Sequence, residues 1–444
     1  MADELSTRMQ EDWNRRARED AHYWVAFGRR HQEEEEFFAT AREQALGLER
    51  ELRRLPPESG PRLRRALEIG CGPGRLMQPL SRHFAEIHGI DISDEMVRLA
   101  RERLKGVPNA RVQHAPGSDL SMFEDGCFDF VYSYAVFQHI PSREVVFGYL
   151  REARRVLKNG GVLRCQINGL PASGERTDTW HGVRISASEV AAFAREHDMQ
   201  LLALEGAETQ YMWTTMIRWP EGWTSSLSAA VPAAPARIRR ITNAHSSEPV
   251  APTRGRFATL SLWMERLPAD ADLNHLEVTV GERDGIVCYI GPPEADGLEQ
   301  VNVYLPPGLS TGLAPVDVSW LGRTLCPPSV VRLIPAPPPV PRIIALTDGI
   351  DLLSGLRIVS GSVKIVAEEL ERPEEFRVTL DGTRVDELES FCTDPRLPRY
   401  EFNFRMPAGT RPGAHALEMR AGRRRFAPIT LEVGPGVPEN PVSS

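Results

Sequence analysis

The chain has 444 residues, 41% hydrophobic and 26% charged, the balance of an ordinary globular protein with material for two to four domains. Its formal net charge of -8 speaks against a general nucleic-acid or anionic-membrane binder. No run approaches the roughly 18 apolar residues of a membrane span, "MADELSTRMQEDWNRR" has no apolar signal core, and six scattered cysteines without a CxxC read as reduced side chains of a cytoplasmic protein.

In chain order, the first expected elements are helices, roughly Leu5 to Arg18 and Gln32 to Arg54. The second brings Phe37, Phe38, Ala41, Ala45, Leu48, Leu52 and Leu55 near one face, and residues 1–58 read as a helical cap. Residues 59–226 then alternate strand and helix. "RALEIG" is a short buried strand that runs into Gly70, Gly72 and Gly74, and "RLMQPLSRHF" follows with helical spacing. Glycine at alternate positions lets the backbone approach a ligand, and the N–H groups of a following helix face it. The dinucleotide fingerprint GxGxxG needs a third glycine where Arg75 stands. The spacing is instead Glu68-x-Gly70-x-Gly72-x-Gly74. Nineteen residues past Gly72 (91 - 72 = 19), "IHGIDIS" ends a second strand in Asp91. Ser93 caps the next helix, with Asp94 and Glu95 in its first turn. "CFDFVYSYAVFQHIP" reads as another strand and its loop, "YLREARRVLKNGGVLRCQING" as a helix ending in Gly160 and Gly161 and a strand after it. "SASEVAAFAREHDM" opens on the capping box Ser186-x-x-Glu189, and "QYMWTTMIRW" closes the region with a strand.

Two proline-rich breaks follow, an Ala/Pro linker from Ser226 to Arg240 and a stiff polyproline stretch from Leu333 to Ile344. Beyond them short period-2 strands alternate with turns, which predicts two all-β sandwiches, 236–334 and 341–434. "ARIRRITNA" and "PRIIALTDG" open the two segments alike at an offset of 105 residues (342 - 237).

The order of motifs over about residues 60 to 218 closely resembles the class I S-adenosylmethionine-dependent methyltransferases. The resemblance implies an α/β fold, a doubly wound, seven-stranded, mostly parallel Rossmann-like sheet with an antiparallel last strand. It also implies S-adenosyl-L-methionine as cofactor. Glu68, Gly70, Cys71, Gly72, Gly74 and Arg75 would then form the cofactor loop, and Asp91, beside Ile92, would hold the ribose hydroxyls. Ser133 and Tyr134 would follow at the end of the fourth strand. An adenine-binding acid is expected where Pro116 stands; Asp119 and the backbone of Gly117 and Ser118 take its place. His139 is the first candidate for a base or an acceptor-orienting group, the alternative being a hydrogen bond within its own loop. His181 is the second candidate. Tyr134 and Gln138 would line the methionine end of the cofactor or the acceptor pocket. No histidine has metal-ligand spacing, so no metal is expected. The β-rich half resembles bacterial immunoglobulin-like or TIG-like modules. The expected acceptor is a small molecule methylated on O, N or S. Two alternatives stay open: a glycan- or protein-binding protein, and a methyltransferase whose sandwiches dock a polysaccharide or protein substrate.

Overall fold

The computed structural model describes residues 2–26, 31–57, 60–115, 117, 119–171, 178–228, 235–352, 355–407 and 409–434. They gather in two compact units, Met1–Ala21 with Phe38–Ala336, and His22–Phe37 with Pro337–Ser444.

The chain begins with helix α1 (Ala2–Ala26), whose backbone leaves the helical range at Asp20. The single helix expected from Gln32 to Arg54 is two, α2 (Glu34–Ala39) and α3 (Arg42–Glu51), followed by a 3-10 turn at Leu52–Arg54. The break falls where the Ala41 amide donates to Phe38 O instead of to the carbonyl four residues back. From α3 onward Ala45, Leu48, Leu52 and Leu55 are buried in one core with Phe130, Tyr132, Val162 and Ile217.

Seven strands follow: β1 (Arg65–Ile69), β2 (Glu86–Asp91), β3 (Ala110–His114), β4 (Phe128–Ser133), β5 (Leu157–Ile167), β6 (Met199–Glu205) and β7 (Met212–Arg218). Their order in the sheet is 3-2-1-4-5-7-6, with β1 to β5 parallel and β7 antiparallel to both neighbours. The crossover helices are α4 (Met77–Leu80), α5 (Asp94–Arg103), α6 (Arg143–Val156) and α7 (Ala187–Glu196). Parallel strands covered on both faces are mostly apolar, and β4 is buried at every residue, its Asp129 paired with Lys158 at 2.8 Å. Ser93 caps α5 by accepting from the Met96 amide, and the Ser186–Glu189 capping box opens α7. Two expected details differ. α4 is a single turn, because the bend from Gly72 to Leu76 uses up the chain a longer helix needs. α6 stops at Val156, and Gly160 and Gly161 lie inside β5, where pairing jumps from Phe128↔Leu157 to Phe130↔Val162 around Gly160 at φ 79°.

The sheet does not end at β6. Ala203 pairs with Tyr289 in the strand Arg283–Ile290, which belongs to the first β-rich segment. Gln200 donates to the carbonyls of Ala269 and Ala271, both at 2.8 Å, and Trp219 donates to Gln200. Leu202 and Ile217 share their core with Ile241, Leu262, Met264 and Leu276. α3 is tied to the same segment: Arg54 binds Glu51 at 2.6 Å and the Ile290 carbonyl at 2.6 Å, and Arg50 stands 4.7 Å over the Tyr289 ring. Of the expected linker Ser226 to Arg240, residues 229–234 lie outside the described residues.

The two β-rich segments repeat one plan. In the first, Arg237–Asn243 pairs with Thr259–Glu265 and that with Glu299–Tyr304, while Leu276–Val280 pairs with Gly312–Trp320 and that with Ser329–Ile334. The second matches it strand for strand: Arg342–Asp348, Ser362–Glu368 and Arg399–Arg405 in one sheet, Phe376–Leu380, Gly413–Ala421 and Ile429–Val433 in the other. Val363, Ile365 and Phe402 of one sheet meet Val378, Leu417 and Leu431 of the other in a shared core. The repeated opening motif has a local cause. Asn243 Oδ1 accepts from the amides two and three residues on, at 2.9 and 3.1 Å, and Asp348 Oδ1 does the same at 2.8 and 2.8 Å. Both side chains are buried, and each closes its strand with an Asx turn.

Candidate active site

β1 delivers the chain to the glycine bend at the carboxyl edge of the sheet, where ligands bind in open α/β folds. The amides of Gly70 and Cys71 both donate to Ile90 O, at 2.8 and 2.9 Å, which folds the bend over the end of β2. Gly70, Gly72 and Gly74 have φ of 72°, 51° and 84°, a region that L side chains avoid. A Cβ on Gly70 would stand 2.3 Å from Val136 Cγ2, and one on Gly74 2.9 Å from Leu104 Cδ1. At these two positions the bare backbone therefore admits protein side chains, where sequence reasoning expected open space for a ligand. Asp91 ends β2 facing the bend. Its Oδ2 accepts from the Gly72 amide at 2.8 Å and its Oδ1 from the Ser93 amide at 2.9 Å. Burial pushes the Asp91 carboxyl up to about 6, against the pull of those two amides.

Beneath the bend lies a second buried acid. Glu68 accepts from the Tyr132 hydroxyl at 2.8 Å, and burial pushes its carboxyl up to about 8. Arg75 donates to Thr40 Oγ1 at 2.9 Å and stands 5.4 Å over the Tyr134 ring, its guanidinium lowered by burial. Cys71 is buried with its thiol pushed well above the usual range, which makes it a packing residue. Ser133 donates to Ile69 O at 2.9 Å and so ties β4 to β1. Ile92 packs its side chain on the second core, and its carbonyl meets His114 Nε2 at 3.1 Å. Asp119 is exposed and accepts from the Ser121 amide at 2.6 Å; Ser118 lies outside the described residues.

His139 is buried, with Nδ1 at 2.7 Å from the Trp180 carbonyl. A carbonyl only accepts, so Nδ1 carries the proton and Nε2, 3.3 Å from Gln138 Nε2, carries the lone pair. Burial pushes this imidazole down to about 4. At neutral pH it is uncharged, held between Trp13 and Trp180, and a weak proton acceptor. His181 faces solvent and meets Asp178 at 3.1 Å. Its loop presses on the first histidine's turn, since a Cβ on Gly182 would stand 2.2 Å from Gln138 O.

Sequence reasoning expected a helical cap from residues 1–58 but missed its contacts at this edge. α1 lies across it: Ser6 sits against Gly117, Gln10 donates to Asp94, Asn14 Oδ1 accepts from Ser93 Oγ and the Glu95 amide, and Asp12 and Arg16 grip Thr179. It also missed a cavity of about 330 Å³ lined by Gln44, Gly47 and Leu48 of α3, Tyr134, Arg164 and Gln166 of β5, Tyr211 and Trp213. Tyr134 is the one predicted site residue on its wall, and through Arg75 it joins the cavity to the glycine bend. The signal was there in "LRCQI": Arg164 and Gln166 alternate on one face of a stretch, Val162 to Ile167, that is otherwise apolar and buried.

Residues 67–165 match the family model of the methyltransferase domain. Among curated relatives, a probable fatty acid methyltransferase of Pseudomonas putida is 28% identical over 191 residues, 39% of this chain and 48% of that protein. Phosphoethanolamine N-methyltransferase 2 of Caenorhabditis elegans is 36% identical over 114 residues, 25% of each chain. The chain thus spans less than half the length of these relatives. A solved geranyl diphosphate C-methyltransferase from Streptomyces coelicolor A3(2) is 15% identical with a TM-score of 0.35, over 48% of this chain and 97% of its own.

Proposed function

We propose that the chain transfers a methyl group from S-adenosyl-L-methionine to O, N or S of a small molecule held in the cavity under α3. One observation carries this reading, the Gly72 amide on the Asp91 carboxylate, which makes the bend and the acid a single receptor. The carboxylate oxygens keep lone pairs beyond those the two amides use, so both hydroxyls of a ribose have acceptors there. Asp119 and Gly117 take the adenine side, and Tyr134 divides cofactor from acceptor.

The cofactor supplies a methyl group already activated on a sulfonium. What is left to the protein is to align the acceptor and exclude water, effects worth about 7–11 kcal/mol in well-oriented reactions. α1 suits the second task, lying across the edge where water would enter. The neutral, bonded His139 suits an orienting role better than that of a base. A small acceptor agrees with the size of the cavity, about 330 Å³, and with the fatty acid and phosphoethanolamine named for the relatives. We further read residues 1–58 as the cap, 59–226 as the catalytic domain, and 236–334 and 341–434 as immunoglobulin-like modules of a cytoplasmic protein. Those modules are the place for a glycan or protein partner.

Calorimetric titration of the full chain with S-adenosylhomocysteine, followed by transfer of labelled methyl to a panel of small acceptors, tests the proposal. Absence of cofactor-product binding near neutral pH would falsify it.

A further inference from the structure

Two side chains that line the cavity under α3 carry an amide oxygen with no hydrogen-bond donor among the described residues. Gln166 Oε1, on a side chain 4% exposed, is one, and Gln44 Oε1 is the other. A buried acceptor left without a donor costs about 1–3 kcal/mol, so such groups are normally satisfied; a turn about the soft terminal torsion of either glutamine brings its oxygen to the cavity its side chain lines. Three aromatic side chains, Tyr134, Tyr211 and Trp213, border the same space against a single aliphatic one, Leu48. Tyr134 and Trp213 stack at 5.6 Å and 20°, forming one broad aromatic surface. Two guanidinium groups already sit on it, Arg164 at 4.6 Å from the Trp213 centroid and Arg75 at 5.4 Å from Tyr134. Arg164 is fixed there by Glu205 at 2.9 Å and Thr215 at 2.8 Å.

Each feature selects. The orphaned oxygens call for an acceptor molecule that carries O–H or N–H groups. The aromatic walls favour a flat ring, which meets other rings in offset or edge contact. The two guanidinium groups repel an ammonium group and attract a phenolate oxygen. An acyl chain meets only Leu48 as an aliphatic partner and leaves both amides unsatisfied.

We propose that the acceptor is an aromatic ring bearing at least two hydroxyl groups, neutral or anionic overall, with one hydroxyl donating to Gln166. This rests on the methyltransferase reading above. The other hydroxyl loses its proton to water, favoured by the nearby guanidinium charge. The phenolate oxygen then forms the C–O bond with the methyl carbon as the C–S bond breaks and its electron pair passes to sulfur. The products are an aryl methyl ether, S-adenosylhomocysteine and the released proton.

The test is titration of the full chain with 3,4-dihydroxybenzoate, decanoate and ethanolamine, each with and without saturating S-adenosylhomocysteine. Dihydroxybenzoate is expected to bind at least about tenfold more tightly than the other two. Gln166→Leu should weaken that binding about tenfold or more, the loss of one hydrogen bond, and leave the affinity for S-adenosylhomocysteine unchanged. Gln44→Leu, at a half-buried helix position, should act in the same direction and keeps the test open should Gln166→Leu misfold. Failure of dihydroxybenzoate to bind in either condition, preference for decanoate or ethanolamine, or unchanged affinity in the folded variants overturns the assignment. Loss of S-adenosylhomocysteine binding alone, with dihydroxybenzoate still bound, sinks the methyl-donor reading instead.

Discussion

The Gly72 amide and the Asp91 carboxylate stand 2.8 Å apart, donor to acceptor, across two neighbouring strands. The bend after β1 is therefore braced by the same acid that is free to take ligand hydroxyls. Removing the acid strips the ligand of its acceptors and leaves two backbone amides, those of Gly72 and Ser93, without partners. Asp91→Ala should weaken S-adenosylhomocysteine binding by about 1–3 kcal/mol, read by calorimetry. An affinity equal to that of the unaltered protein would remove Asp91 from the site.

The same carboxylate sets a pH limit. Its folded value of about 6 lies above the ordinary aspartate range, so the acid takes up a proton as pH falls through 6. Ligand hydroxyls donate to the charged form, and binding should weaken below pH 6 by up to about tenfold per unit. Between pH 7 and 8 the affinity should be flat. Asp91→Asn cannot titrate, so its weaker affinity should not change between pH 5 and 7. A parallel decline in both proteins would trace the effect to another group.

His139 titrates the other way. Its value of about 4 lies below the ordinary 6.5, so its contribution to stability is present above pH 6.5 and is lost as pH falls through 4. His139→Gln should flatten the fall in melting temperature over that interval, at a cost of about 1–3 kcal/mol near pH 7 from the Trp180 hydrogen bond. Turnover should drop with no change in the shape of its pH profile, because a ring that is already neutral has no proton to exchange there. Disappearance of a limb near pH 6.5 in the variant would instead make His139 the base.

How far the sequence reached can be judged from these residues. The glycine bend was legible because its run of glycines follows directly on an apolar strand, and the Ser93 cap and the Ser186–Glu189 box because each depends on neighbours a few residues apart. The Asn243 and Asp348 repeat was visible for the same reason, as a turn made by one side chain with its own backbone. The state of His139 was not legible, since it depends on a carbonyl 41 residues away and on Trp13 from α1. Nor was the filling of the Gly70 position by Val136, which makes a glycine signature look alike whether ligand or protein occupies the space.

α3 gives a prediction of its own. Glu51 is 0% exposed, paired with Arg54 at 2.6 Å and close to Arg50 at 3.4 Å. Deleting one member of a buried ion pair leaves the other charge unsolvated, a loss of about 3–5 kcal/mol. Glu51→Ala should lower the melting temperature accordingly and loosen α3, which carries Gln44 and Leu48 to the cavity. Hydrogen exchange at residues 42–51 reads that loosening. Unchanged protection there would mean that packing alone fixes the helix.

The edge of the sheet decides whether the first β module is dispensable. A chain cut after residue 228 loses the partners of Gln200 and Trp219's surroundings, the pairing of Ala203, and the apolar side chains that bury Leu202 and Ile217. An exposed strand edge with apolar residues beside it recruits other copies of itself. The fragment 1–228 should therefore aggregate on size-exclusion chromatography and fail to bind S-adenosylhomocysteine, even though it keeps the bend, Asp91 and the cavity-lining residues. The same protein with residues 229–336 restored regains the pairing at Tyr289 and the contacts of Arg54 with Ile290. A monomeric, cooperative 1–228 fragment with full affinity would show that the β6 edge needs no cover, and that the module is attached to the catalytic domain without supporting it.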